Sequence, residues 1–298
     1  MSGSGQAWEE RLAAWAAAEP GLEALVQIGS RVQPGATVDA WSDYDYQLVT
    51  RRPGRYRDGA FAREIAPCWA CGAHVAFGNA VKVTAVYEGA LEADFVILGA
   101  LDLKVAFAAM RWPAAAPAWP RVLERGIREL RIVAGRGWRV IHGGGAWERR
   151  YARIEPLEIV LDLEAFTELS HNFWAQAVWA SKKLARGEYL AAQRGFHEHL
   201  QEAVLRVLQE QARIEGRRSY PLGRRAETWL GAGTLAALGG GTRPEAPELA
   251  AAILQAAGVF ESSAAAVAAA RGWPWAVDPQ LRAWLGNLLV RQTGTAPR

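Results

Sequence analysis

Asp43 and Asp45, separated by one residue, and Asp94, at the head of a later apolar run, are the side chains of this sequence best suited to hold a cation. Phosphoryl-type transfer from a nucleoside triphosphate needs a cation on the phosphates, and magnesium takes carboxylate oxygens for that purpose. Side chains two apart on an extended segment share a face, so Asp43 and Asp45 can share one ion. Asp94 joins them if its strand is a neighbour. Upstream, Leu25-Val26-Gln27-Ile28 runs into Gly29-Ser30-Arg31. In such a small-residue turn backbone N–H groups and a hydroxyl can approach phosphate oxygens closely, and Arg31 could add charge. Each piece alone also fits a plain turn followed by exposed strand-end charge. Asp162-Leu163-Glu164 repeats the acidic spacing without that context.

The elements that must position these residues follow from periodicity. Residues 8–18 read as a helix stopped by Pro20-Gly21, 25–28 as a short buried strand, and 44–50 as a strand broken by Arg51-Arg52-Pro53-Gly54. Residues 81–87 and 94–98 pair as a hairpin around Glu88-Gly89-Ala90. Helices are expected over 101–110 and 121–132, on either side of the proline-rich stretch 111–120, with an edge strand over 138–142. From residue 163 apolar positions recur every three or four residues, which predicts helices over 163–186, 188–214, 224–238, 246–257, 262–271 and 279–291. The change in character near Pro156 sets the expected division, a first domain over 1–155 and a helical bundle over 156–298.

Composition limits the function. At 298 residues, 51% hydrophobic and 22% charged, the chain can fold as two ordinary domains. A net charge of +3 spread over scattered arginines does not demand nucleic acid as a partner. The start lacks a secretory pattern and no run approaches the roughly 18 apolar residues of a membrane span, so a cytoplasmic enzyme without a membrane partner is expected. Cys68 and Cys71 form a lone C-x-x-C, to which His74 could add a third ligand where structural zinc usually takes four. His142, His171, His197 and His199 read as ordinary surface or interface histidines.

Taken in order, Gly29-Ser30-Arg31, a loop, Trp41-Ser42-Asp43-Tyr44-Asp45-Tyr46 and a strand opening at Asp94 resemble the nucleotidyltransferase signature of the aminoglycoside 6-adenylyltransferases, the streptomycin-modifying enzymes. Phe173-Trp174, Lys182, Arg186, Glu188-Tyr189-Leu190-Ala191-Ala192 and Leu222-Gly223-Arg224 ahead of Trp229-Leu230 resemble the helical half of that family. The resemblance implies an α+β fold, with a nucleotidyltransferase-type mixed sheet and flanking helices followed by a helical bundle. It implies that Asp43, Asp45 and Asp94 hold Mg2+, and that Gly29, Ser30, Arg31, Lys182, Arg186 and Arg224 serve ATP. The implied reaction moves AMP to a hydroxyl of a small polar, aminoglycoside-like acceptor and releases pyrophosphate.

At 100° per residue Glu168, Asn172, Trp179, Lys182 and Arg186 fall within about 80° of one another, opposite the apolar face of their helix. This stripe reads equally as a solvated face or as a cleft lining. Asn172 stands where the resembling family is expected to carry Glu, and Asn cannot act as a base. Glu168, one turn earlier, is the acidic residue able to deprotonate an acceptor hydroxyl. Glu227 likewise stands where a basic residue would be more typical. These departures keep two alternatives open: a different small-molecule or protein acceptor, or a nucleotide-binding protein without transfer activity.

Overall fold

A computed structural model describes residues 3–77, 80–111, 120–241 and 243–293. The chain divides into two compact units, Met1–Ile159 and Val160–Arg298.

The first unit contains, in chain order, α1 (Gly3–Ala18), β1 (Leu22–Ile28), β2 (Tyr44–Thr50), α2 (Ala62–Ile65), β3 (Cys68–Phe77), β4 (Ala80–Tyr87), β5 (Leu91–Gly99), α3 (Ala100–Ala109), α4 (Arg121–Val133), β6 (Arg139–His142) and α5 (Gly144–Tyr151). The strands form one mixed sheet in the order β3-β4-β5-β2-β1-β6. Among the described residues β2 and β5 are the parallel pair, and the other neighbours run antiparallel. Strand alternation sends successive side chains to opposite faces. Tyr44, Tyr46 and Leu48 of β2, with Ala93, Phe95 and Ile97 of β5, meet Trp8, Leu12 and Ala16 of α1 on one face. Val49, together with Ala24, Val26 and Ile28 of β1, packs under Leu103, Phe107, Leu130, Trp147 and Tyr151 from α3, α4 and α5 on the other. Asp45, Asp94 and the β4 residues Lys82 and Thr84 share that second face by alternation. None of the four belongs to the apolar cluster covering it.

Buried Glu19 anchors this unit. Arg55 donates to both of its oxygens at 2.6 and 3.1 Å, and Tyr56 adds a third bond at 3.0 Å. The bond from Arg55 outweighs burial and holds the Glu19 carboxyl below its ordinary pKa.

The second unit is helical among its described residues: α6 (Leu163–Ala185), α7 (Tyr189–Gly195), α8 (Glu202–Ile214), α9 (Ala226–Trp229), α10 (Ala232–Leu238), α11 (Ala246–Arg271) and α12 (Pro279–Gln292). Asp162 caps α6 by accepting from the Ala165 amide at 2.8 Å. Residues 188–214, expected as one helix, are α7 and α8 joined by a π-helical segment over Phe196–Gln201. Residues 224–238 break where Leu230 turns extended before Gly231. The helices expected over 246–257 and 262–271 are the single α11, because Gly258 to Glu261 keeps helical backbone and Phe260 carries the buried stripe through. By length and composition alone α11 is apolar enough to cross a bilayer, contrary to the expectation that no run approached this. Leu249, Ile253, Phe260 and Val267 from it are buried in the helical core, and Phe260 stacks on Phe173 of α6 with ring centroids 3.9 Å apart. The stretch 112–119, singled out for its proline content, lies outside the described residues.

Candidate metal and nucleotide site

Strand register brings the acidic residues together. In the parallel pairing of β2 with β5, Asp45 lies directly beside Asp94, and Asp43 precedes β2 by one residue. Asp43, Asp45 and Asp94 each offer a carboxylate oxygen, and the three lie within 4.8 Å of one another. Magnesium binds oxygen at about 2.1 Å, so two oxygens on one ion stand roughly 3–4 Å apart. Small side-chain rotations would bring these carboxylates to that spacing.

The turn after β1 closes over the same point. Gly29 has φ +77°, and an ideal Cβ built on it would fall 2.1 Å from Asp45 Oδ2. Only a residue without a side chain allows this approach. The Gly29 carbonyl accepts from the amides of Val32 and Gln33, which fixes the turn. Ser30 Oγ is buried and lacks a hydrogen-bond partner among the described residues. A buried hydroxyl left in this state costs free energy unless a ligand oxygen satisfies it. Arg31 is engaged locally: its guanidinium donates to the carbonyls of Asp43 at 3.0 Å and Ser42 at 2.5 Å, and it lies 3.7 Å over the Tyr44 ring. It fastens the loop that carries Asp43.

Two further residues reach the cluster and are absent from the sequence reading. Thr84 Oγ1 donates to Asp94 Oδ1 at 2.5 Å, and Lys82 Nζ lies 2.5 Å from Asp94 Oδ2. Burial alone would lower the Lys82 pKa. The hydrogen bond to Asp94 and the charges of Asp94, Asp45 and Asp43 outweigh it and leave the ammonium above its ordinary value. The signal was available: in β4 Val81, Val83 and Ala85 alternate with Lys82 and Thr84, so one face of an interior strand is polar.

The remaining candidates belong to the helical unit. Glu168, Asn172, Trp179 and Lys182 are exposed on α6, and Arg186, its C-cap, is exposed as well. Glu164, Thr167, Glu168, His171 and Asn172 line an open depression. Arg224 is exposed in a turn where Leu222, Gly223 and Arg225 all take positive φ, at 57°, 67° and 52°. Its carbonyl accepts from Trp229 Nε1 at 3.1 Å. Left-handed non-glycine residues are costly and persist where the surrounding structure holds them.

Cys68 and Cys71 are free thiols on β3, and burial pushes the Cys71 pKa up. His74 is exposed on the same strand. The ring nitrogens of His197 are met by Gln201 Oε1 and the Gly241 carbonyl. Among the described residues the Asp trio is the one cluster of three such ligands close enough to share an ion.

No protein-family model matches the chain, and no curated protein sequence does. Several solved structures are similar in outline. An aminoglycoside 6-adenyltransferase from Bacillus subtilis superposes with a TM-score of 0.41 at 12% identity, covering 94% of this chain and 98% of its own. A nucleotidyltransferase-like protein from Exiguobacterium sibiricum 255-15 does so with a TM-score of 0.32 at 13% identity, covering 98% and 89%. At these values the site and its chemistry rest on this chain's own residues.

Proposed function

We propose that this chain is a cytoplasmic, magnesium-dependent nucleotidyltransferase that moves AMP from ATP to a hydroxyl of a small, aminoglycoside-like molecule and releases pyrophosphate. The observation that carries the reading is the convergence of Asp43, Asp45 and Asp94 beside the Gly29-Ser30 turn. The carboxylates would hold Mg2+, which supplies charge neutralisation and alignment of the triphosphate. Gly29 lets the turn close against the Asp45 carboxylate, and Ser30 Oγ beside it has a proton to donate to a phosphate oxygen. The acceptor oxygen attacks the α-phosphorus, the bond to the bridging β-phosphate oxygen breaks, and the hydroxyl proton passes to Glu168. Lys182, Arg186 and Arg224 offset phosphate charge as it redistributes. Glu164 and Glu168 along one depression suit an acceptor carrying ammonium groups.

The test is incubation of the pure protein with ATP labelled at the α-phosphate, Mg2+ and a panel of aminoglycosides. Label on an aminoglycoside, lost on chelation, is the expected result. Label on another small molecule or on a protein would keep nucleotidyl transfer and replace the acceptor. ATP binding by calorimetry without pyrophosphate release for any acceptor would favour a nucleotide-binding protein, the reading to which Asn172 lends support.

A further inference from the structure

We infer that Lys82 is the resident cation of the carboxylate cluster: it neutralises Asp94 in the metal-free protein and passes to a phosphate oxygen of the nucleotide once a divalent ion occupies the carboxylates. The inference rests on the proposed function and assigns Lys82 a nucleotide-positioning role within it.

Both oxygens of Asp94 are taken, one by Thr84 and one by Lys82. Asp94 is itself 4% exposed, so its carboxylate depends on these two donors for its solvation. They differ in freedom. Thr84 pairs directly opposite Asp94 in the β4·β5 register, and its hydroxyl is held there by the strand. Lys82 stands opposite Val96, two residues along the same face, and reaches Asp94 diagonally along a flexible stem. Its side chain keeps 31% of its surface open to solvent. The ammonium can therefore leave Asp94 without crossing packed protein.

Among the described residues the other two buried carboxylates with ionic partners are built differently. Arg55 grips Glu19 through two nitrogens, and Arg213 grips Glu210 in the same way. A planar guanidinium fork fixes a geometry, whereas a lysine is a movable point charge. A divalent ion on the trio would stand a few ångströms from the ammonium and repel it, while a triphosphate brought to the same place offers it new oxygens. Carboxylate oxygens carry more than one acceptor direction, so Thr84 can stay on Asp94 throughout.

The experiment compares the full-length wild type with Lys82→Met and Lys82→Arg. Three quantities are measured: Mn2+ affinity in the absence of nucleotide, affinity for a non-hydrolysable ATP analogue with Mg2+, and metal-free melting temperature. For Lys82→Met, Mn2+ alone is expected to bind about tenfold more tightly and the analogue about tenfold more weakly, with a lower metal-free melting temperature. Lys82→Arg, which keeps the charge, should retain most of the analogue affinity. A purely structural lysine would lower the melting temperature and leave the analogue affinity unchanged, and that result overturns the inference. If Lys82→Met does not fold, the Lys82 side-chain nitrogen resonance of the wild type decides: it should move on adding Mg2+ and again on adding the analogue, and a resonance that ignores both overturns the proposal. A wild type that binds no Mn2+ would defeat the nucleotidyltransferase reading itself, whereas Mn2+ binding equal in wild type and Lys82→Met would defeat the role of Lys82 alone.

Discussion

Each unit of this chain buries a carboxylate to 4% exposure, Asp94 in the sheet unit and Glu210 in the helical unit. Glu210 receives Arg213 through two nitrogens at 2.9 and 2.5 Å, Arg271 at 2.7 Å and the Leu161 amide at 3.4 Å. Those partners tie α8, the end of α11 and the approach to α6 together. Asp94 has a single threonine and a single lysine, and it lies among two more carboxylates. The Glu210 arrangement places opposite charges in contact. The Asp94 arrangement gathers like charges, which destabilises the fold locally and makes sense where a cation is to be bound. Burial alone therefore does not separate a structural acid from a functional one; the sign of the surrounding charge does.

The comparison can be broken by substitution. Asp45→Asn should reduce the proposed AMP transfer by about 1,000-fold or more, read as pyrophosphate release, while leaving urea stability unchanged or higher because it relieves repulsion. A variant as unstable as one at Glu210 would erase the distinction. Glu210→Gln leaves two guanidiniums without their anion. The usual cost of breaking a buried pair, discounted because both arginines are about a third exposed, comes to about 2 kcal/mol, measurable by chemical denaturation. The proposed transfer per folded molecule should be unchanged in Glu210→Gln, since Glu210 has no role in the proposed reaction. Gly29→Ala is expected to cost about 1–2 kcal/mol, since φ +77° is strained for alanine and the new Cβ collides with Asp45, and to weaken Mn2+ binding in the same variant.

The smallest effect is in pH dependence. Burial would raise the Glu210 pKa, but its bonds to Arg213 and Arg271 prevail and hold it below the ordinary value of 4.5. A carboxyl depressed in the folded state contributes its full stabilisation above the unfolded pKa and loses it as pH falls through the folded one. Wild-type urea midpoints should therefore decline below about pH 4.5, and the decline should be shallower in Glu210→Gln. Equal slopes would mean that Glu210 is answered no better in the fold than in the unfolded chain.

Much of the sheet was legible because its signals are local. The strand expected over 44–50 is observed over Tyr44–Thr50, and the hairpin around Glu88-Gly89-Ala90 is there, with Gly89 and Ala90 both at positive φ. β3 was not anticipated. It is an edge strand with residues 72–76 exposed, so it has no buried face to impose alternation, and Gly72 lowers its strand propensity. The π-helical segment over Phe196–Gln201 and the continuity of α11 are not legible for a different reason: both lie in sequence of helical period, whose hydrogen-bond pattern and end points are set by neighbouring helices. The alternation in β4 marks Lys82 and Thr84 as one polar face, but only the pairing with β5 shows that this face meets Asp94.

The sequence by itself determined five of the six strands, the helical character of the chain beyond residue 162, the Gly29-Ser30 turn and the presence of three aspartates at suggestive spacing, since these follow from short-range periodicity and backbone preference. The tertiary structure alone decided that β2 and β5 run parallel with Asp45 beside Asp94, and that β4 lays Thr84 and Lys82 against the same carboxylate. Side-chain alternation tells which face a residue takes. It carries no information about which strand lies next to it or in what register, because backbone hydrogen bonds are chemically alike along every strand and the choice among pairings is made by the packing of the whole sheet.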